Sequence, residues 1–141
     1  MSFTSIGSVI KISISDINKS IEFYRNVLGF SLDPRYSILK NPKEISYIQM
    51  NFNNGGNHSV AIGLYNDIKE PFNPIPENGT VPSFIVEDIE STLKLFQEKK
   101  VVIDKVDGEF IIENTSDEGF VDKFFFFRDP DNNSLVIREN L

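Results

Sequence analysis

The sequence contains an internal repeat, in which two similar segments begin 72 positions apart, at Val9 and at Val81. Residues 9–17 align with residues 81–89. The first copy starts with Ile10, Ile12 and Ile14 at alternate positions, which is typical of a half-buried strand, and both copies are predicted to continue into a helix. A repeat of this kind limits the fold to two similar units, each of which begins with a strand and a helix.

Each predicted helix begins directly after an aspartate. Asp16 precedes helically spaced apolar residues that extend to Leu28, and Gly29 follows where a left-handed residue can end the helix. Asp88 has the corresponding position before the second helix, which we expect to run to about Lys99. An aspartate in this position accepts hydrogen bonds from the free backbone N–H groups of the first turn.

Alternating residues and turn signals predict further strands after each helix. In the first half they cover residues 30–36, 45–52 and 59–65; in the second half they cover residues 101–104, 123–127 and 135–139, with an extra short strand at 109–113. Each half therefore has the order βαβββ, which makes the chain an α+β protein with two modules, 1–65 and 80–141. Residues 66–79 contain three prolines and are typical of a linker.

The composition excludes several kinds of chemistry. The chain has 141 residues, no cysteine and one histidine, so disulfides, thiolate metal sites and cysteine nucleophiles are excluded. That histidine, His58, lies among Gly and Asn residues, where we expect it to be solvated. The formal charge of −7 argues against a nucleic-acid partner. Without a signal peptide or a stretch of about 18 apolar residues, we expect a cytoplasmic protein with no membrane partner.

Two stretches are similar to sequence signatures of the vicinal oxygen chelate superfamily, which includes glyoxalase I, bleomycin-resistance proteins and extradiol dioxygenases. They are ISDINKSIEFY at residues 14–24, followed by VLGF at 27–30, and FRDPDNN at 127–133. Asn132 stands where the family usually has glycine, and asparagine tolerates the left-handed conformation well. The resemblance implies one glyoxalase-like domain over residues 1–141, with two βαβββ modules whose cupped mixed sheets have the helices outside. It also implies a homodimer.

The resemblance further implies where the metal enzymes of that superfamily carry their ligands, namely on the first and last strands of each module. Counted from the matching motifs, these positions are Val9, Ile62, Val81 and Val136. Divalent metals bind imidazole, carboxylate or thiolate groups, and aliphatic side chains provide none. A shift of the alignment by one residue leads to Ile10, Gly63, Pro82 and Ile137, which are no better. We therefore predict that the protein binds no metal and no cofactor.

Side chains on a strand alternate between its two faces, so the same positions predict which residues line the concave pocket. We expect the following residues to bind the ligand: Lys11, Ser13, Tyr47, Gln49, Asn51, Ile62, Leu64, Ser83, Phe124, Phe126, Val136 and Arg138. Such a mixture of apolar, aromatic and a few polar side chains is typical of a site for a small organic molecule. The positive charges of Lys11 and Arg138 favour an anionic or amphipathic ligand. Phe125 and Phe127 alternate with the pocket residues and are expected in the core.

The sequence favours a metal-free protein that binds a small organic molecule, similar to the bleomycin-resistance branch of the superfamily. Three alternatives stay open. The first is a metal-dependent lyase or dioxygenase resembling glyoxalase I, with its ligands at other positions. The second is a metal-free enzyme that uses Lys11, Tyr47 or Arg138, and the third is a domain that acts only through a dimer interface. Lys11 and Arg138 could instead simply extend from the edge of the sheet into solvent, without a role in binding. The sequence assigns no catalytic residue.

Overall fold

The computed structural model describes residues 8–38, 47–53, 59–71 and 79–141. The chain divides into two compact units, Met1–Pro71 and Phe72–Leu141. Within the described residues, each unit contains one α-helix and a four-stranded sheet with both parallel and antiparallel neighbours. The predicted α+β class is therefore confirmed.

The first unit pairs its first strand with its last. In chain order it contains β1 (Val9–Ile14), α1 (Ile17–Asn26), β2 (Ser31–Asp33), a 3-10 turn (Pro34–Tyr36), β3 (Tyr47–Asn53) and β4 (Ser59–Asn66). The sheet has the order β1-β4-β3-β2. Strands β1 and β4 run parallel, and the other neighbours run antiparallel.

The second unit has the same strand arrangement. It contains β5 (Ser83–Ile85), α2 (Ile89–Glu98), β6 (Ile112–Thr115), β7 (Val121–Arg128) and β8 (Ser134–Asn140). The sheet order is β5-β8-β7-β6, with β5 parallel to β8 and the other neighbours antiparallel. The repeat seen in the sequence thus corresponds to a repeat in topology.

Helix α1 covers one face of the first sheet. Tyr24 of α1 is fully buried, and its ring contacts Phe30 edge to face at a centroid distance of 6.2 Å. Phe30 in turn contacts Phe52 of β3 at 6.0 Å. The buried strand residues on this face are Ile12, Ile14, Ile48, Met50, Ile62 and Leu64. They occupy alternate positions of their strands, so the opposite face carries a different set of side chains.

Three phenylalanine rings form the centre of the second unit. Phe96 of α2 contacts Phe125 and Phe127 of β7 edge to face, at centroid distances of 5.7 and 5.1 Å. All three side chains are buried. Edge-to-face pairs add to the stabilisation that apolar burial provides. The prediction that Phe125 and Phe127 belong to the core is confirmed.

Both helices begin as the sequence predicts. Asp16 Oδ1 accepts a hydrogen bond from the backbone N–H of Lys19 at 3.1 Å, and Asp88 Oδ1 accepts one from Ser91 at 3.2 Å. Each bond satisfies a backbone donor that has no partner inside the helix. Within the described residues, no helix combines the length and the apolar character needed to cross a membrane.

The two helices end differently. Gly29 follows α1 with a φ of +76°, in the left-handed region where glycine has no steric cost. Lys100 follows α2 with a φ of +60°, although lysine has a Cβ that crowds the backbone in this region. Its backbone N–H still donates to the carbonyl of Gln97 at 3.1 Å. The second helix thus ends without the glycine that usually serves this purpose.

Two predicted strands are wrong in extent. The strand expected at 30–36 contains only β2, because Pro34 begins the 3-10 turn. The strand expected at 101–104 is reduced to a single bridge between Ile103 and Phe127. The outer edge of β7 is shared: this bridge occupies the end of the strand, and β6 pairs with its beginning. The fourth strand of the second sheet therefore comes later in the chain than expected.

The Asp33 carboxylate holds the corner where β2 leads into the 3-10 turn. It accepts hydrogen bonds from the backbone N–H, Nε and Nη2 of Arg35, at 3.1, 3.0 and 2.9 Å, and from Nδ2 of Asn51 at 2.7 Å. The residue is 5% exposed. The side-chain bonds from Arg35 lower the pKa of Asp33 from 3.8 to about 2, although burial acts in the opposite direction. The folded chain therefore keeps Asp33 ionised in mildly acidic solution.

Replacement of Lys100 by glycine is expected to stabilise the protein. Glycine removes the steric cost of the left-handed conformation, and the gain is up to about 1 kcal/mol after the extra backbone entropy of the unfolded chain is subtracted. Urea unfolding measures the change. Lys99→Gly is the control, because Lys99 has a φ of −82° and glycine gains nothing there. A Lys100→Gly variant no more stable than the control would contradict this account.

Folding stability is expected to fall on acidification as Asp33 takes up a proton. Its pKa is lower in the folded than in the unfolded chain, so the stabilisation is present above about pH 4 and is lost as the pH approaches 2. Urea unfolding of wild type and Asp33→Asn should therefore differ most near neutral pH and converge in acid. Asp117→Asn, on an exposed turn, is the control. A difference that stays constant across this range would be inconsistent with the role given to Asp33.

Candidate functional site

The face of the first sheet opposite α1 carries polar and aromatic side chains, and we name it the polar face. The strand register arranges it in three rows, Ser13–Tyr65–Tyr47, Lys11–Gly63–Gln49 and Val9–Ala61–Asn51, with Asp33 beside Gln49. Most of these residues are half-buried. The predicted residues Lys11, Ser13, Tyr47, Gln49 and Asn51 therefore lie together on one face of one sheet.

The placement of Ile62 and Leu64 on this face is wrong. Ile62 pairs with Ile10 and with Met50, both of which are on the helix side of the sheet, and Ile62 and Leu64 are 0% exposed. The position that corresponds to Val136 in the second unit is Gly63. An error of one residue in a strand moves a side chain to the opposite face, and the motif spacing contained such an error.

Lys11 is bound to neighbouring groups at the edge of the polar face. Its Nζ donates to Ser13 Oγ and to Asp67 Oδ2, both at 2.6 Å, and lies 5.5 Å from the centre of the Tyr65 ring. Burial acts to raise the pKa of Asp67, but hydrogen bonds from Lys11 and Ser13 and the charge of Lys11 lower it below its ordinary value. The lysine charge is thus balanced by a carboxylate from the same unit.

The ring of Tyr47 lies over Gly63. A Cβ at position 63 would come within 2.6 Å of Cε2 and 2.9 Å of Oη of Tyr47, so the ring occupies space that only glycine leaves open. The ring also contacts Tyr65, at a centroid distance of 4.7 Å. Burial, and to a smaller extent Tyr65, raises the pKa of Tyr47. Tyr47 is therefore a neutral hydrogen-bonding group at physiological pH.

A continuous chain of side-chain hydrogen bonds crosses the polar face. Tyr47 Oη donates to Gln49 Oε1 at 3.2 Å, Gln49 Nε2 donates to Asn51 Oδ1 at 3.2 Å, and Asn51 Nδ2 donates to Asp33 Oδ2 at 2.7 Å. We refer to Tyr47, Gln49, Asn51 and Asp33 as the polar chain. Since each member holds the next, the four side chains are oriented before any ligand arrives.

The face of the second sheet opposite α2 is more apolar, and we name it the aromatic face. It contains the predicted residues Ser83, Phe124, Phe126, Val136 and Arg138, together with Ile85 and Ile112. Phe124 and Phe126 contact each other edge to face at a centroid distance of 5.7 Å. Phe126 and Val136 are 8% and 7% exposed, so they form the floor of this face.

Arg138 is held by groups of its own unit. Its Nη2 donates to Asp122 Oδ2 at 3.1 Å, and its Nε donates to Asn140 Oδ1 at 2.7 Å. The pairing partner of Arg138 across the strands is Phe124. The two cations that the sequence singled out, Lys11 and Arg138, therefore each have a carboxylate partner in the folded chain.

The residues at the implied metal positions do not fit a divalent ion. Val9 and Gly63 lie in neighbouring strands of the first sheet, Val136 lies in β8, and Val81 precedes β5 by two residues. None has a donor atom in its side chain. Among residues 8–38, 47–53, 59–71 and 79–141, no three His, Cys, Asp or Glu side chains come together as a metal-binding group. His58 lies outside the described residues.

Sequence reasoning missed several residues of these faces. Tyr65 and Gly63 could have been found from the alternation of Val60, Ile62 and Leu64, which marks the core side of β4. Asp67 and Asp122 have no comparable signal. Their partners lie 56 and 16 positions away in the chain, and only the strand register brings them together.

Several solved structures have a similar fold. A glyoxalase/bleomycin resistance protein/dioxygenase from Alicyclobacillus acidocaldarius has 16% identity over 96% of this chain and 91% of that one, with a TM-score of 0.68. A superfamily member from Sphaerobacter thermophilus has 26% identity over 95% of this chain and 98% of that one, with a TM-score of 0.56. The trypanothione-dependent glyoxalase I of Leishmania major has 16% identity over 96% of this chain and 86% of that one, with a TM-score of 0.61.

The sequence matches one protein family over nearly its full length. A model of the glyoxalase/bleomycin resistance protein/dioxygenase superfamily aligns with residues 6–137, which include both units. Among curated proteins, none matches the chain. The family match and the shared fold agree with the resemblance seen in the two motifs. The chain therefore belongs to the glyoxalase/bleomycin resistance protein/dioxygenase superfamily.

Proposed function

We propose that the protein binds a small organic molecule on one of the two sheet faces that lie opposite its helices, without a metal ion. The observation that carries this proposal is the polar face, where half-buried polar groups and two tyrosine rings are held in fixed orientations by one another. Aromatic surface combined with a few oriented polar groups is the usual composition of a small-molecule site. Orientation in advance lowers the entropic cost of binding.

We propose binding without a metal ion because of the side chains found at the implied ligand positions. A catalytic divalent ion needs about three protein ligands and an open position. The implied positions hold Val9, Gly63, Val81 and Val136. Gly63 takes the place of Ile62 in this set, and neither residue has a side-chain atom that can bind a metal. The proposed mechanism is therefore binding or carriage, in which shape and hydrogen bonds select the ligand.

The metal content of the purified protein tests this part of the proposal. After dialysis against a weak chelator, we expect far less than one divalent ion per chain by plasma mass spectrometry. Addition of Zn²⁺, Ni²⁺, Mn²⁺ or Fe²⁺ should leave the melting temperature unchanged. A stoichiometric ion that survives dialysis would overturn the metal-free proposal and favour a metal-dependent lyase or dioxygenase.

Gly63→Ala tests whether the position of Tyr47 matters for binding. The added Cβ would lie 2.6 Å from the Tyr47 ring, so the ring must swing away from the sheet and lose its bond to Gln49. Any fragment found to bind wild type on this face should bind at least about tenfold more weakly. The pKa of Tyr47 should also fall toward its ordinary value, which ultraviolet titration of the tyrosines measures.

A double-mutant cycle provides the control for Gly63→Ala. In a Tyr47→Ala background there is no ring to displace, so the second substitution should change fragment affinity little. An equal loss of affinity in both backgrounds would mean that Gly63→Ala acts through the sheet itself, and the role given to Tyr47 would be discarded.

A further inference from the structure

Asp33 gives the polar chain a single direction. An ionised carboxylate only accepts hydrogen bonds, so the amide nitrogen of Asn51 must face it. The oxygen of Asn51 then faces Gln49, whose nitrogen must donate to it. The oxygen of Gln49 is left facing Tyr47, so the tyrosine hydroxyl must direct its proton there. The low pKa of Asp33 keeps this direction unchanged over the physiological range.

This direction decides what the polar face offers to a ligand. The hydroxyl proton of Tyr47 is already donated to Gln49, so the hydroxyl oxygen can only accept a hydrogen bond from a ligand. Each amide nitrogen of Gln49 and Asn51 carries two hydrogens, and the described part of the chain uses one of each. The face therefore presents an acceptor at Tyr47 and N–H donors at Gln49 and Asn51. A ligand must donate to the first and accept from the others.

The charges of the polar face are already balanced. Lys11 is paired with Asp67 at 2.6 Å, and Arg35 is paired with Asp33 at 2.9 Å. An anionic ligand would meet the like charges of Asp67 and Asp33, and a cationic ligand would meet the like charges of Lys11 and Arg35. In contrast, a neutral polar group finds its partners in Tyr47, Gln49 and Asn51 without disturbing an ion pair.

We infer that the polar face selects neutral, planar molecules that carry a hydrogen-bond donor beside an acceptor, and that an aromatic carboxamide is the simplest such ligand. Its N–H donates to Tyr47 Oη, its carbonyl oxygen accepts from the Gln49 amide, and its ring packs against Tyr47 and Tyr65, whose centroids are 4.7 Å apart. This inference rests on the proposed function and adds the chemical class of the ligand.

Four matched probes test the inference in the full-length protein. Benzamide has both groups, methyl benzoate lacks the donor, and benzoate and benzylammonium carry opposite charges on a ring of the same size. Titration followed by ¹H–¹⁵N nuclear magnetic resonance reports binding through the side-chain amide signals of Gln49 and Asn51. Benzamide is expected to bind at least about tenfold more tightly than each of the other three.

The Tyr47→Phe variant separates the donor requirement from ring packing. It keeps the ring and removes the acceptor oxygen, so the preference for benzamide over methyl benzoate should fall to about one. Tyr36→Phe is the matched control: Tyr36 belongs to the 3-10 turn, is 57% exposed and lies outside the polar face, so loss of its hydroxyl should leave that preference unchanged. A preference that survives in Tyr47→Phe would overturn the inference.

The outcomes also distinguish this inference from the proposed function. Tighter binding of benzoate than of benzamide, or no effect of any probe on Gln49 and Asn51, would overturn the carboxamide inference while other ligands could still bind. If a broad library of fragments also shifts no resonance of the polar face or the aromatic face, the proposed function is overturned as well.

Discussion

The register between the first and last strands of each unit is the constraint on which the two faces depend. Lys11 lies beside Gly63 in the first unit, and Ser83 lies beside Val136 in the second. Neighbouring residues across a sheet share a face. This register therefore decides which alternate residues of β4 and β8 face the helix. It also places Gly63, which has no side chain, under the ring of Tyr47, and this leaves room for the ring.

A single carboxylate then organises much of the polar face. Asp33 has no direct contact with Tyr47, yet the two are joined through the amides of Gln49 and Asn51. Hydrogen bonds in such a series polarise one another, so the charge at one end strengthens the orientation of the hydroxyl at the other. Arg35 keeps the carboxylate ionised and occupies its remaining acceptor capacity. The same carboxylate therefore holds the corner after β2 and orients the groups that we propose for ligand recognition.

Much of the fold could be predicted from local patterns. The repeat, the capping residues Asp16 and Asp88 and the alternation in β1, β3 and β7 each depend on residues close together in the chain, and these predictions were correct. The placement of Ile62 and Leu64 failed because it relied on counting from a distant motif, where an error of one residue reverses the face. The periodicity of β4 itself points to the correct side.

The site was less accessible to sequence reasoning than the fold. Lys11 and Arg138 were recognised as cations, but their carboxylate partners depend on contacts between strands that are far apart in sequence. Gly63 was recognised only as a residue that cannot bind a metal. Gly63 matters for Tyr47 because the ring occupies the space that a Cβ at position 63 would fill, and a sequence pattern does not reveal such a contact.

The separation of each sheet into two faces has a consequence for how such a protein can change over evolutionary time. Substitutions at Gln49 or Asn51 alter hydrogen-bonding groups without removing apolar contacts with α1, whereas substitutions at Ile48 or Met50 do the reverse. Under the proposed function, ligand preference can therefore change without loss of the apolar contacts between the sheet and α1. A relative with 16% identity can then share the architecture at a TM-score of 0.68. The apolar side chains that pack against the helix and the polar side chains that would bind the proposed ligand lie on opposite faces of the same strands.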